Sequence, residues 1–291
     1  MNSRRRFLAA LPVAAAAAPA IAADRPAASG DGPELRLMTY NLRYASPQGP
    51  EAWPLRRPAM KALLEEQAPD LMGTQEGVYG QLRDLASDLP AHDWIGTGRD
   101  GGSRGEFMAV FYRRDRFEPL AYDHFWLSDT PEVIGSSTWG NPNRRMVTSV
   151  QFRDRRTGLE FQLWNTHLDH ALQPAREKGA ALIRTRLARL PSSDRVILMG
   201  DFNAVATRNA VYEALTREIG FTDSWFSAAR RRNETLNSFN GFGKSTFNSA
   251  RIDWILYRGA AEVSLAEVVD LTPGGRQPSD HFPVLARLRW T

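Results

Sequence analysis

Five places in this 291-residue sequence set polar residues against the end of a short apolar run. Asn41 follows 35–40, and Gln75-Glu76 follow 71–74. His167-Leu168-Asp169-His170 follow 161–166, and Gly200-Asp201-Phe202-Asn203 follow 196–199. Pro278-Ser279-Asp280-His281 precede 282–288. Short apolar runs are strand candidates, and loops at one end of a sheet are where sites collect. Taken singly, each has an ordinary structural explanation. Asn41 could form a turn, Asp201 and Asn203 could cap a helix, Glu76 could be a solvated acid, and Asp280 could bond its own turn. A lone His167 is more often a hydrogen-bonded structural histidine than a catalyst. Together they supply acids, amides and two histidines on separate loops.

That inventory suits hydrolysis of a phosphate ester. The substrate is anionic and repels hydroxide, so its charge must be neutralised before attack. A hard cation held by oxygen ligands does this and steadies the leaving oxygen. A histidine titrating near neutrality can take the proton of the attacking water, worth ~10²–10⁴-fold in rate. In-line attack needs base and cation on opposite sides of phosphorus, and acids on separate loops can be placed that way. Oxygen ligands point to Mg²⁺ or Mn²⁺ rather than structural zinc. The sequence has no cysteine, which excludes thiolate catalysis, cysteine-held zinc and disulfides.

The elements that must position these residues alternate. Further strand candidates are 107–112, 147–152 and 252–257, with helix candidates at 57–67, 80–89, 173–190 and 209–219. The helix at 173–190 repeats apolar residues at helical spacing and should bury one face. The pattern predicts an α/β fold with two packed sheets and helices outside, rather than one doubly wound sheet. Residues 34–291 show no repeat or low-complexity break and read as one domain.

Ahead of it, Arg4-Arg5-Arg6-Phe7-Leu8 and an alanine-rich stretch ending near Ala23 have the order of a twin-arginine export signal. The apolar stretch is shorter than the roughly 20 residues of a membrane span, and Pro12 and Pro19 interrupt it. Residues 1–23 therefore read as a signal peptide, 24–33 as a Pro/Gly/Ala-rich linker, and the product as periplasmic or secreted. Without the three signal arginines, 34 basic residues face 33 acidic ones, a net charge of +1 rather than +4. A non-specific polyanion binder would show a larger basic excess, so nucleic acid is not the favoured partner.

The ordered series TYNLR, QE, GEFMAVFYR, NTHLDH, GDFNA, RIDWIL and SDHFPV, from Thr39 to Val284, resembles the endonuclease/exonuclease/phosphatase superfamily. The resemblance implies a four-layer α/β sandwich, two packed mixed β-sheets flanked by helices. It implies that Asn41 and Glu76 lie beside the divalent ion, Glu76 as direct ligand. Asp280 would complete the metal side or orient His281. His281 would be the general base, supported by Asp253, with Asp201 and Asn203 placing the water and the phosphate oxygens. His167 would bind phosphate or protonate the leaving oxygen, held by Glu106 as in secreted nuclease relatives.

Other residues carry two readings each. Arg144-Arg145 and Arg176 could hold substrate phosphate or be solvated loop ends. Asp169 could orient a neighbouring histidine; His170 could support the site or be exposed. Trp53 and Trp139 could stack on a base or sugar, or pack on their own domain. For substrate, near-zero charge and export favour a small-molecule or nucleotide phosphoester. The His167–Glu106 pairing would favour a secreted nuclease. A phospholipid or sphingolipid phosphodiesterase has no obvious apolar membrane-inserting hairpin to support it, though the segment 237–247 offers aromatics. An inactive phospho-ligand or protein binder would be expected to have lost Glu76, Asp201, Asn203 or His281, and all are present.

Overall fold

The structure, a computed structural model, describes residues 34–245 and 248–291. The expected signal peptide and linker lie outside the described residues. Among those described, no helix is long and apolar enough to cross a membrane.

Central strands buried on both faces read as continuous apolar runs, and two mixed sheets are built around them. One has seven strands, in the spatial order Arg231–Arg232, Ala261–Val268, Val284–Trp290, Leu35–Asn41, Leu71–Gln75, Val110–Arg113 and His92–Ile95. The other has six: Thr222–Asp223, Asp253–Arg258, Val196–Asp201, Glu160–His167, Met146–Asp154 and Phe117–Trp126. Leu37, Phe152, Ile197, Met199, Ile255 and Val284 belong to one core between them. Outside the first sheet, helices Trp53–Gln67 and Tyr79–Asp88 bury Met60, Leu64, Leu82 and Leu85 against Met38 and Met72. Outside the second, Gln173–Leu187 and Ala210–Thr216 bury Ile183, Leu187, Val211 and Leu215 against Leu198 and Trp254. Each fully buried leucine contributes ~1.5–3 kcal/mol. The four layers expected are the four layers formed.

A polar bridge ties the sheets together at one end. Asn165 Nδ2 donates to the carbonyls of Thr74 and Ala109, both at 2.9 Å, while its Oδ1 accepts from Gln75 Nε2 at 2.7 Å. A Cβ at Gly73 would lie 2.8 Å from Met199 Sδ and 2.9 Å from Asn165, so only glycine lets the sheets close here.

The same bridge explains one departure from expectation. The run 107–112 is not one strand. Glu106–Phe107 pairs with Gly77–Val78, and Val110–Arg113 joins the large sheet. Between them the Ala109 carbonyl is taken by Thr74 N and by Asn165. The strands Phe117–Trp126 and Ala261–Val268 were not expected at all. The helix expected at 209–219 is shorter, and its cap is the Asn209 side chain, accepting from Val211 N at 3.0 Å. Asp201-Phe202-Asn203 therefore caps no helix.

Candidate active site

Strand register brings the polar ends together. Asp201 sits on one rung with His167 on its parallel neighbour and Asp253 on its antiparallel neighbour. Gly200 precedes it because a Cβ there would lie 2.0 Å from the Thr166 carbonyl oxygen. In the facing sheet Asn41 pairs with Gln75, which puts Glu76 just beyond the strand end. Arg43, Glu76 and Asn203 all have positive φ, at 53°, 61° and 48°. Non-glycine residues held there store strain, which gathers at functional sites.

The result is a cavity of about 470 Å³ lined by Glu76, Asp280, His281, Asp201, Asn203 and His167 among others. Asn41 lies beneath it, its Nδ2 donating to Glu76 Oε1 and Asp201 Oδ2, both at 3.0 Å. Behind His281, Asp253 Oδ2 lies 3.0 Å from Nδ1; a carboxylate only accepts, so the proton is on that nitrogen. His281 Nε2 is 3.8 Å and His167 Nε2 3.4 Å from the same Asp201 Oδ2. Asn203 is fixed through its backbone N–H to Asp201 Oδ1 at 2.9 Å and its Nδ2 to the Leu168 carbonyl at 3.1 Å.

The two histidines are pushed in opposite directions. Burial disfavours the imidazolium of His281, but Asp253, with Asp201 and Asp280, outweighs it and raises the group to about 10. His167 is held well below its ordinary value by burial, then by Arg145, Arg99 and His281. Its 3.4 Å contact with Asp201 is therefore that of a neutral ring rather than an ion pair. Burial also raises Asp201, to about 7, with Asp253 adding to the shift and His281 opposing it.

Two groups of residues have donors for a cation. Glu76 Oε2 and Asp280 Oδ2 converge on one guanidinium nitrogen, Arg43 Nη1, at 3.9 and 3.6 Å. Burial raises Asp280, and Glu76 raises it further against His281 and Arg43. Two hard carboxylates that repel each other and already attract a cation fit Mg²⁺ or Mn²⁺. Asp201, Asp253 and His281 also place one donor atom each within 4.8 Å of one another. That trio already contains a bound proton between His281 and Asp253, so it suits proton transfer better than metal binding. Asn41 stands beside this pair, its Oδ1 accepting from Arg43 N at 3.0 Å and its Nδ2 facing the Glu76 and Asp201 carboxylates.

Several expected residues land elsewhere. Glu106 lines the cavity but does not hold His167. Arg99 takes both its oxygens, at 2.6 and 3.1 Å, and His167 Nδ1 has no hydrogen-bond partner among the described residues. Arg176 is not among the residues lining the cavity; it donates to the Asp169 carbonyl at 2.7 Å and to Gln173 at 2.9 Å. Arg144 turns outward to Asp100 and the Gly135 carbonyl. Trp53 is buried, donating to Asp84 at 2.7 Å, and Trp139 donates to Asp129 at 2.8 Å; neither lines the cavity. Asp169 orients Arg145 rather than a histidine, with Oδ2 3.6 Å from Nε.

Arg145 does line the cavity. It is buried, donates Nη2 to His170 Nδ1 at 3.0 Å, and leaves Nε and Nη1 without a hydrogen-bond acceptor among the described residues. Arg43 and Arg99 join it there, and neither was singled out in the sequence. Nothing local marks them: both are arginines in polar loops of an arginine-rich chain. The segment from Asn237 is no free protrusion, because Asn240 and Gly241 donate to the Asp280 carbonyl and Phe282 to that of Ser238. Its Phe239 ring stands edge-on to His281, 5.1 Å between centroids.

Residues 38–281 match the Endonuclease/Exonuclease/phosphatase family. The chain belongs to that family. Its members are phosphoesterases and nucleases, and the two facing sheets are their fold. A family protein from Bacteroides vulgatus superposes with a TM-score of 0.83 at 31% identity, covering 89% of this chain and 100% of that one. A mannosyl-6-phosphatase from Bacteroides thetaiotaomicron superposes with a TM-score of 0.80 at 33% identity, covering 88% of this chain and 100% of its own. An uncharacterized protein of Acanthamoeba polyphaga mimivirus is 28% identical over 159 residues, 52% of this chain, and the match spans 59% of that viral protein's length.

Proposed function

We propose that this member of the family is a divalent-metal-dependent phosphoesterase that takes a small-molecule phosphate ester, a sugar phosphate above all. One observation carries the reading. A proton acceptor backed by a carboxylate, His281–Asp253, and a pair of converging carboxylates, Glu76 and Asp280, share one cavity whose wall holds a buried arginine with unused donors. Glu76 and Asp280 would hold Mg²⁺ or Mn²⁺, which when bound neutralises phosphate charge and steadies the leaving oxygen. A cation held beside Asp280 would also lower His281 towards the range in which it can accept a proton. His281 Nε2 then takes the proton of the attacking water, with Asp201 and Asn203 orienting that water. Asp253 stabilises the imidazolium that results. Arg145 and neutral His167 grip the phosphate oxygens, a charge-assisted contact suited to a guanidinium.

The sugar end rests on two supports. The mannosyl-6-phosphatase is similar along nearly its whole length. Tyr44 and Phe239, 40% and 41% exposed, flank the cavity where it meets a second hollow carrying Ser46 and Gln48. Aromatic faces beside hydroxyl and amide groups suit a ring with one apolar face. The nuclease reading loses the feature that favoured it, because Glu106 belongs to Arg99.

Turnover of mannose 6-phosphate, glucose 6-phosphate, bis-p-nitrophenyl phosphate, nucleotides and oligonucleotides, each with Mg²⁺ and with EDTA, tests this. Metal-dependent release of phosphate from the hexose phosphates is expected. Faster cutting of oligonucleotides, or equal rates in EDTA, would overturn it. The twin-arginine leader extends the proposal to export. Periplasmic protein whose first residue lies near 24 is the expected outcome of N-terminal sequencing.

A further inference from the structure

Helix Trp53–Gln67 buries an arginine under the cavity floor, and every donor on it is used. Arg56 is 0% exposed and has no carboxylate within ion-pair distance among the described residues. Its Nε donates to the Glu51 carbonyl at 2.8 Å. Nη1 donates to the carbonyls of Leu42 at 2.9 Å and Pro278 at 2.6 Å. Nη2 donates to those of Arg43 at 2.9 Å and Tyr44 at 3.2 Å. A guanidinium has five N–H donors in a fixed fork, and here each meets a different backbone oxygen.

Four of those oxygens belong to the two loops that present the cation side and the base; the Glu51 carbonyl lies just ahead of the helix itself. Residues 42–44 follow Asn41; Arg43 N–H fixes the Asn41 amide, and Tyr44 N–H donates to Glu76 Oε2 at 3.2 Å. Pro278 opens the turn that carries Asp280 and His281. There Ser279 Oγ donates to the Asn41 carbonyl at 2.7 Å and accepts from His281 N–H at 3.2 Å. The loops are more than two hundred residues apart in the chain and come from neighbouring strands. A fully spent donor fork joining them has no salt bridge to serve instead. From helix Tyr79–Asp88, Gln81 Nε2 adds one more donor to the Arg43 carbonyl at 3.0 Å.

We propose that Arg56 is a positioning residue that sets the separation between Glu76 and the turn carrying Asp280 and His281. It touches no reacting atom; it acts by holding the 42–44 loop, whose Tyr44 N–H fixes Glu76, against the backbone from which Asp280 and His281 project. The proposal rests on the phosphoesterase reading for its consequence in turnover, and on geometry alone for its consequence in cation binding. Lysine keeps the charge but offers three donors from one nitrogen, and cannot span five carbonyls.

The test compares wild type with Arg56→Lys, each checked for fold by circular dichroism. Mn²⁺ binding is read by calorimetry and turnover with Mg²⁺ on mannose 6-phosphate. Arg56→Lys should weaken Mn²⁺ binding about tenfold or more and lower kcat roughly 10²-fold, the scale of a misplaced catalytic group. Arg56→Ala should regain activity with millimolar guanidinium chloride and not with ammonium chloride, because only the former supplies the fork. If Arg56→Lys fails to fold, Gln81→Met removes one companion donor and should move both readouts the same way by a smaller factor. A folded variant with unchanged Mn²⁺ affinity and kcat, losing only thermal stability, would overturn the proposal and leave Arg56 a purely structural residue. A wild-type chain that binds Mn²⁺ yet turns over no phosphoester would sink the phosphoesterase reading alone, since Mn²⁺ affinity still decides the role of Arg56.

Discussion

Two buried arginines lie on different sides of the same cavity and are finished to different degrees. Arg56, under the floor, has each of its donors on a backbone carbonyl. Arg145, in the wall, keeps two nitrogen atoms without acceptors among the described residues, beside a His167 whose Nδ1 is equally unmatched. Burying an unpaired donor costs ~1–3 kcal/mol, more for a charge. A fold that completes one guanidinium and leaves the other open is separating two tasks. On the proposed reading, the floor holds still and the wall receives the anion.

The largest effect expected comes from the floor's chemistry. His281→Ala should keep the fold and lower kcat by at least ~10²-fold, the low end for a general base. Near-normal turnover in that variant would show that the finished side is scaffold only. Next come the arginines, where the signs separate. Arg145→Met should lower kcat/KM by roughly tenfold to a hundredfold, the scale of one or two charge-assisted hydrogen bonds, and weaken inhibition by inorganic phosphate. Its stability in urea should fall less than that of Arg56→Met, because it takes one ion-pair partner from buried Asp169 rather than the donors of five carbonyls. Arg56→Met should instead cost about 3 kcal/mol or more, given ~1–3 kcal/mol for each buried carbonyl left bare. Equal destabilisation by both substitutions would erase the distinction between floor and wall.

The contrast also marks how far the sequence could be read. Residues at strand ends were legible because buried strands make apolar runs, and a polar residue closing such a run stands out: Asn41, Glu76, His167, Asp201 and His281 were all found this way. Arg56 was not. It sits in a helix whose next residue is also arginine, and nothing in Trp53-Pro54-Leu55-Arg56-Arg57 tells which one turns inward. Arg99 was missed because it is one arginine in a polar loop of an arginine-rich chain, and Glu106 was given to His167 because a resemblance reports which residues are present, not which pairs form. In the fold, Phe117–Trp126 escaped because it is an edge strand with Pro119 inside it and a mostly exposed middle. Ala261–Val268 escaped because its alanines, glutamates and leucine favour helix; pairing along Val284–Trp290 overrides that preference.

The smallest effect expected is the most selective probe of the wall. His167 is held neutral by burial first and by the Arg145 and Arg99 cations next. The unfolded chain takes up a proton on this residue as pH falls below about 6.5, its ordinary value, while the folded protein refuses it. The unfolded state then binds more protons, so stability rises with pH and is lost on acidification below that value. The slope from this one group cannot exceed about 1.4 kcal/mol per pH unit. His92 and His124 are also lowered by burial and add slopes of the same sign, so the readout is a difference between proteins. Urea unfolding of EDTA-treated protein between about pH 7.5 and 5 should show a shallower loss in His167→Asn than in wild type. Arg145→Met should fall between them, because it removes one cation and leaves the burial. Identical slopes in all three would mean that His167 protonates freely in the folded state, and that the wall is not poised against positive charge.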